Sequence, residues 1–283
     1  MNKSKFLMVP VLLWAALFLL IPMLIVVVVS FLSRDTLGNV VFPFSLTGYK
    51  TFFDSLYLGI YWDTLVLSVV TTVVCLLVSY PLAYYIANAT PRIQTWGLIL
   101  ITIPFWINFL IRTYAWVLLL RTQGIVNSVL LHFGWIHEPM QMLYTKGAVL
   151  LGMVYNFIPF MVLPIYVALE QMDKRLLDAA SDLGATRWKA FRHITLPQSK
   201  SGIMTGCVLV FVSTSGMFVV TDILGGAKSM MISNIIQSQY LGARNWPFGS
   251  ALSIIFVVTS LILILLFNRA MQSRADRAKE GTA

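Results

Sequence analysis

The chain has 283 residues, 58% of them hydrophobic and only 11% charged, and its mean hydropathy is +0.82. A soluble domain carries about 45–50% apolar and about 25% charged residues, so this composition excludes one and defines an integral membrane protein. A formal net charge of +9 would suit a nucleic-acid partner, but its distribution along the chain has another cause, and no basic patch calls for nucleic acid.

Six apolar stretches are each long enough to cross a hydrocarbon core, which takes about 20 residues of helix. They fall at about 7–31, 64–87, 96–120, 147–169, 201–224 and 248–268. The expectation is an all-α, polytopic membrane protein with six transmembrane helices, residues 1–283 forming a single transmembrane domain in the lipid bilayer. A transmembrane β-barrel would need alternating segments of about ten residues, which the sequence lacks.

Lys3 and Lys5 precede the first stretch and give it the look of a secretory signal. Signal cores run about 7–15 residues to a small-residue cleavage site, whereas this run reaches Phe31, so it reads as a retained span. The loops at about 32–63 and 121–146 hold short apolar pieces, Tyr49 to Phe53 and Ile125 to Leu131, suited to the membrane interface. Trp62, Trp96, Trp135 and Trp246 fall near span ends, where aromatic belts sit. Cys75 and Cys207 lie mid-span and serve as small apolar residues. Pro22, Pro81, Pro104, Pro159, Pro164 and Gly216 disturb the spans and open room between helices.

With the N-terminus inside, thirteen Lys and Arg fall on inner segments and six on outer loops, with Arg112 left within a span. That bias follows the positive-inside rule and sets both termini in the cytoplasm. It also sets the segment at about 170–200 in the cytoplasm. There Asp173 can cap a short helix whose Leu176, Leu177, Ala180 and Leu183 share a face, and Gly184 suits the left-handed turn that ends it. Thr186 can cap a second helix carrying Trp188, Phe191 and Ile194 on one side, which Pro197 stops before the fifth span. A basic amphipathic loop of this kind lies on anionic lipid or docks on a partner. Small residues at Ala179 and Ala180 favour the partner, because they permit close helix approach.

Polar residues inside the spans suggest a path. Asn108 and Arg112 are four apart and share a face of span three; Gly152, Asn156 and Pro159 form a strip in span four; Thr214, Phe218, Thr221 and Asp222 form one in span five. An ionisable group at a span centre costs about 2.5–3.5 kcal/mol and faces protein or water. Arg112 reads as a structural charge, paired with Asp222 or with a partner subunit, while Asp222 suits path or packing. No catalytic or metal residues stand out: Gly225-Gly226-Ala227-Lys228-Ser229 lacks the glycine before Lys of a phosphate loop, and His137-Glu138 has Gln141 where a zinc protease needs its second His.

The loop residues Asp178-Ala179-Ala180, Gly184 and Ile194-Thr195-Leu196-Pro197 resemble the EAA signature of ABC-importer permeases, with Asp178 where Glu is usual. Pro104-Phe105-Trp106, Leu110-Ile111-Arg112 with Tyr114, Thr221-Asp222 running into Gly225 to Lys228, and Trp246-Pro247-Phe248-Gly249 narrow the likeness. Over nearly the whole chain the sequence resembles the permease subunits of bacterial spermidine/putrescine importers. The resemblance implies a type I ABC importer permease fold in the bacterial cytoplasmic (inner) membrane, and a transport subunit instead of an enzyme. It implies a second homologous permease, two copies of a cytoplasmic ATPase and an extracytoplasmic polyamine-binding protein as partners. This chain would hold no cofactor; ATP and magnesium would sit on the ATPase, against which Asp178, Ala179, Ala180, Gly184, Ile194, Leu196 and Pro197 would couple. For a polyamine, carboxylates pair with ammonium groups and aromatic faces hold the cation, so the expected path residues are Asp222, Phe218, Thr221, Trp106, Asn108, Tyr114, Tyr155 and Asn156. The alternatives are an importer of an anion or a metal complex, with Arg112 as ligand, or a channel or carrier that needs no ATPase.

Overall fold

A computed structural model describes residues 10, 13–35, 38–226 and 229–280, with side chains as far as residue 269. Its helices are α1 (Leu13–Ser30), α2 (Thr47–Phe52), α3 (Ser55–Ala87), α4 (Pro91–Trp106), α5 (Phe109–Leu120), α6 (Ile125–His132) and α7 (Lys146–Glu170). They continue with α8 (Arg175–Asp182), α9 (Arg187–Ala190), α10 (Leu196–Gln198), α11 (Lys200–Ser215), α12 (Phe218–Gly225), α13 (Ile232–Gln237) and α14 (Trp246–Glu280). Two short strands, Ser33–Arg34 and Val40–Val41, pair antiparallel. Among the described residues five helical stretches are long and apolar enough to cross a membrane, and α11 with α12 makes a sixth if that bent pair is one span. Lys3 and Lys5, and the first residues of the expected span at 7–31, lie outside the described residues.

At three places the course of the helices corrects an expectation. The span expected at 96–120 is not one helix: α4 ends at Trp106, Ile107 is extended at φ −83° and ψ 134°, and Asn108 starts α5 by accepting from the Leu110 N–H at 2.8 Å. An Asn side chain competes for backbone donors and so makes a good cap, which ends the helix that hydropathy alone would continue. The stretch that passes as a span runs instead from Phe109 to His132. In the fifth span the helix bends by 57° between Ser215 and Phe218. Thr214 therefore does not share one helical face with Phe218, Thr221 and Asp222.

The third correction concerns Pro197, which does not stop the helix. Proline lacks an N–H and crowds the carbonyl four residues back. Here a π-helical turn over Phe191–Thr195 widens the backbone just before it, and Pro197 then lies in the first turn of α10. The chain stays helical into α11 with Ser199 N–H bonded to the Thr195 carbonyl at 2.9 Å.

Packing divides the described chain into two compact units. The larger, Trp62–Met231 with Ile264 onward, is built on α7, whose Met153, Met161, Val162 and Ile165 are fully buried. Its most extensive helix pair is α7 with α11. Gly202 and Gly206, one turn apart, make the close approach possible: a Cβ on Gly202 would lie 2.4 Å from the Pro164 carbonyl oxygen, and one on Gly206 2.7 Å from Met161 Sδ. Lipid tails offer no hydrophobic drive for helix association, so small residues that let backbones touch carry the packing. Gly152 serves α7 the same way, since a Cβ there would meet Leu224 Cδ1 at 2.3 Å and Val220 Cγ1 at 3.2 Å. It packs α12 and does not line a polar strip.

The smaller unit, the described residues up to Tyr61 with Ile232–Leu263, buries Phe52, Ile232, Phe248 and Leu252. Rings meet edge to face there, Phe52 on Tyr61 with centroids 5.5 Å apart and Tyr57 on Phe248 at 5.0 Å. The Tyr61 hydroxyl donates to that of Thr259. Large apolar side chains stand exposed along α1, α3 and α14, as on helices that face hydrocarbon.

Candidate functional site

The loop at 170–200 forms the expected bent helix pair. Asp173 Oδ1 accepts from the Arg175 N–H at 3.0 Å to open α8. The helix closes at Gly184, φ +76°, with the Ala185 N–H reaching back to the Ala180 carbonyl at 2.9 Å. This left-handed turn is the conformation glycine adopts without penalty. Thr186 Oγ1 then accepts from the Lys189 N–H at 3.3 Å and starts α9.

Asp178 and Ala179 are exposed and Ala180 is half-buried. Leu183 and Trp188 are 89% and 69% exposed, an apolar surface presented outward. The pair is braced from behind: Phe191 stacks on Trp188 at 5.5 Å and meets Tyr80 and Tyr84 of α3 edge-on, each at 5.8 Å. The hydroxyls of Tyr80 and Ser199 lie 3.0 Å apart. Trp188 is thereby joined through Phe191 to a span, and neither tyrosine carries a signal in the sequence that reveals this.

An open recess of about 380 Å³ lies where α4 breaks into α5, against the middle of α7. It gathers four of the expected residues, Trp106, Asn108, Arg112 and Asn156. Trp106 is 91% exposed, whereas Arg112 and Asn156 are buried. The Arg112 guanidinium sits 5.6 Å over the Phe105 ring, which is held edge-on by Phe160 with centroids 5.0 Å apart. Arg112 Nε and Nη1 and Asn156 Oδ1 are buried with no hydrogen-bond partner, and Asn156 Nδ2 donates to the Gly152 carbonyl at 2.8 Å. Phe105, Phe157, Phe160 and Met217 also line the recess and were not among the expected residues. Phe160 is legible in retrospect, one turn beyond Asn156 on the same face.

The other expected path residues lie outside this recess. Tyr114 is exposed, and Tyr155 meets Trp116 edge to face at 5.5 Å. Asp222 is exposed on α12, beside a buried Thr221 whose hydroxyl donates to the Phe218 carbonyl at 2.6 Å. Arg112 and Asp222 do not pair with one another, one of the two pairings expected for Arg112; an ion pair among the described residues joins Lys146 to Asp63 at 3.1 Å. Ala227 and Lys228 lie outside the described residues.

Broken apolar helices beside a recess of aromatic residues that holds a buried arginine, with an amphipathic helix pair braced on a span, suit a membrane permease subunit. The chain belongs to the family of binding-protein-dependent transport system inner membrane components, whose model matches residues 79–277. It is 43% identical to the spermidine/putrescine transport system permease protein PotB of Haemophilus influenzae, over 91% of this chain and 90% of that one. The protein of that name from Escherichia coli is 39% identical over 91% and 94%. A chain in the crystal structure of a bacterial ABC transporter involved in the import of the acidic polysaccharide alginate has the same fold, with a TM-score of 0.80, 19% identity and 95% of each chain covered. The fold is that of an ABC importer permease.

Proposed function

We propose that this chain is the membrane-spanning subunit of an ATP-driven importer that takes spermidine or putrescine from an extracytoplasmic binding protein. The observation that carries this reading is the 43% identity, across nine-tenths of both chains, to a permease named for those two solutes. The loop from Asp178 to Pro197 is the coupling element. Its exposed Leu183 and Trp188 dock on one of two cytoplasmic ATPase copies, which bind ATP and magnesium, and its brace on α3 passes their closure to the spans. A second, homologous permease completes the path, and both termini face the cytoplasm. Trp106, Asn108 and Asn156 line the route at the recess; Phe218, Thr221 and Asp222, with Tyr114 and Tyr155, serve it elsewhere.

The test is uptake of labelled spermidine and putrescine by cells that lack other polyamine importers and carry this chain with its neighbouring subunits. Uptake that needs the ATPase is expected. The buried guanidinium favours one competing reading, an importer of an anion. Uptake of an anionic solute with none of either polyamine would establish it.

A further inference from the structure

Arg112 is 8% exposed, yet two of its guanidinium nitrogens have no acceptor, and the Oδ1 of Asn156, 3% exposed, is in the same state. Both residues line the recess. The Phe105 ring lies against the cation but accepts none of its N–H groups as a carboxylate would. A buried cation left in this condition is costly, and intramembrane charges are kept where a partner compensates them. Among the described residues none supplies an acceptor to Nε or Nη1, which points to a partner from outside the chain.

Depth decides which source fits. Asn156 stands about ten residues from the start of α7 and about fourteen from its end, or about 15 Å and about 21 Å at the rise of an α-helix. The recess therefore lies near the middle of a span, out of reach of a lipid phosphate at the bilayer surface. Water entering it offers acceptors but no charge. With the buried cation the recess is lined by exposed apolar and aromatic side chains, Trp106 at 91% and Ile107 at 47%. An arginine in a collar of aromatic and aliphatic groups is the composition of the energetic centre of a protein interface.

We propose that the recess receives an Asp or Glu side chain from a second membrane-spanning chain, and that its carboxylate pairs with Arg112 to select that chain as partner. This deepens the two-permease reading above and rests on it. A guanidinium meets a carboxylate through two parallel N–H···O bonds, which fixes the partner's orientation as well as its charge. Neutralised in this way, Arg112 no longer repels a cationic solute at the neighbouring Trp106 and Asn108.

The test uses the whole importer. All subunits are expressed together, this chain is affinity-tagged, and the yield of the co-purifying second spanning chain is measured beside spermidine uptake. Arg112→Met strands the incoming carboxylate, so that yield should fall by about tenfold or more. If Arg112 has no partner, the same substitution only removes an orphaned charge; an unchanged or higher yield would overturn the proposal. Arg112→Glu should also lose the partner, and Arg placed at one of the partner's intramembrane acidic residues should restore the yield to within about threefold. That rescue decides the matter even where Arg112→Met lowers the abundance of the tagged chain. Failure of every such reversal overturns the proposal, as does a defect that follows depletion of anionic phospholipid. Co-purification does not involve the solute, so an importer that assembles through this pair but takes up no polyamine refutes the transport reading alone.

Discussion

Replacing Gly202 with Ala tests the contact on which the larger unit is built. A Cβ at 202 would lie 2.4 Å from the Pro164 carbonyl oxygen, 2.7 Å from Ala168 Cβ and 3.0 Å from Ile165 Cα. Two of these atoms are backbone and the third is fixed to it, so no rotamer change relieves the overlap. The helices must part by about 1 Å, because carbon atoms settle at about 3.5–4.0 Å. A gap of 0.5–1 Å forfeits about a quarter to a half of each contact of about 0.1–0.2 kcal/mol. Over about twenty atom pairs that is about 1 kcal/mol, and strain raises it to the about 1–3 kcal/mol typical of overpacked sites. Alanine's better helix propensity returns up to about 1 kcal/mol, leaving a net cost of about 1–2 kcal/mol. The purified complex in detergent, followed by tryptophan fluorescence, should then melt about 2–8 °C lower. Gly59→Ala, whose Cβ would meet nothing within 4 Å, should melt at the same temperature or slightly higher. Gly206→Ala should be milder than Gly202→Ala, since its nearest atom is the side-chain sulfur of Met161 at 2.7 Å and backbone atoms come no closer than 3.3 Å. Equal melting of Gly202→Ala and Gly59→Ala would refute the close packing of α7 on α11.

Gly184→Val should lower uptake at constant membrane abundance, because φ +76° costs a β-branched residue about 1–2 kcal/mol; Gly184→Asn should retain more activity, and equal uptake by both would exclude the turn from coupling. Asn127→Ala should destabilise the complex by about 1–3 kcal/mol: Asn127 is 1% exposed, donates to the Met140 carbonyl at 2.8 Å and accepts from the Met140 N–H at 3.0 Å, so earlier proteolysis of the 121–144 segment is the readout. Asp222→Asn should reduce polyamine uptake several-fold without loss of assembly, and an assembled complex with full uptake would remove Asp222 from the path. Cysteines at Ser181 and Ala243, both exposed, in a chain without Cys75 and Cys207, should label from opposite sides of the membrane; labelling of both from outside would refute the topology.

Much of this was legible because it is local or compositional. The caps at Asp173 and Thr186 and the turn at Gly184 depend on residues a few positions apart, where sequence spacing reports geometry directly, whereas apolar composition reveals that spans exist without fixing their ends. The breaks were harder. Asn108 sits inside an unbroken apolar run, so hydropathy carries the helix through it, and only the competition between a cap and the helix interior ends α4. Pro197 misled in the other direction, because a π-helical turn upstream accommodates the missing N–H. The recess was half legible: four polar or aromatic members announced themselves, whereas Phe105, Phe157 and Phe160 look like any apolar residue in a span. The brace of Phe191 on Tyr80 and Tyr84, and the lock of Asn127 on Met140, join residues that no short-range pattern connects.

The measurement closest to the central claim is ATP-dependent uptake of labelled polyamine by the reconstituted complex in vesicles. Spermidine or putrescine should accumulate only with ATP, the binding protein and this chain all present, and Gly184→Val should abolish most of it. Accumulation without ATP, or of another solute with neither polyamine, would contradict the account.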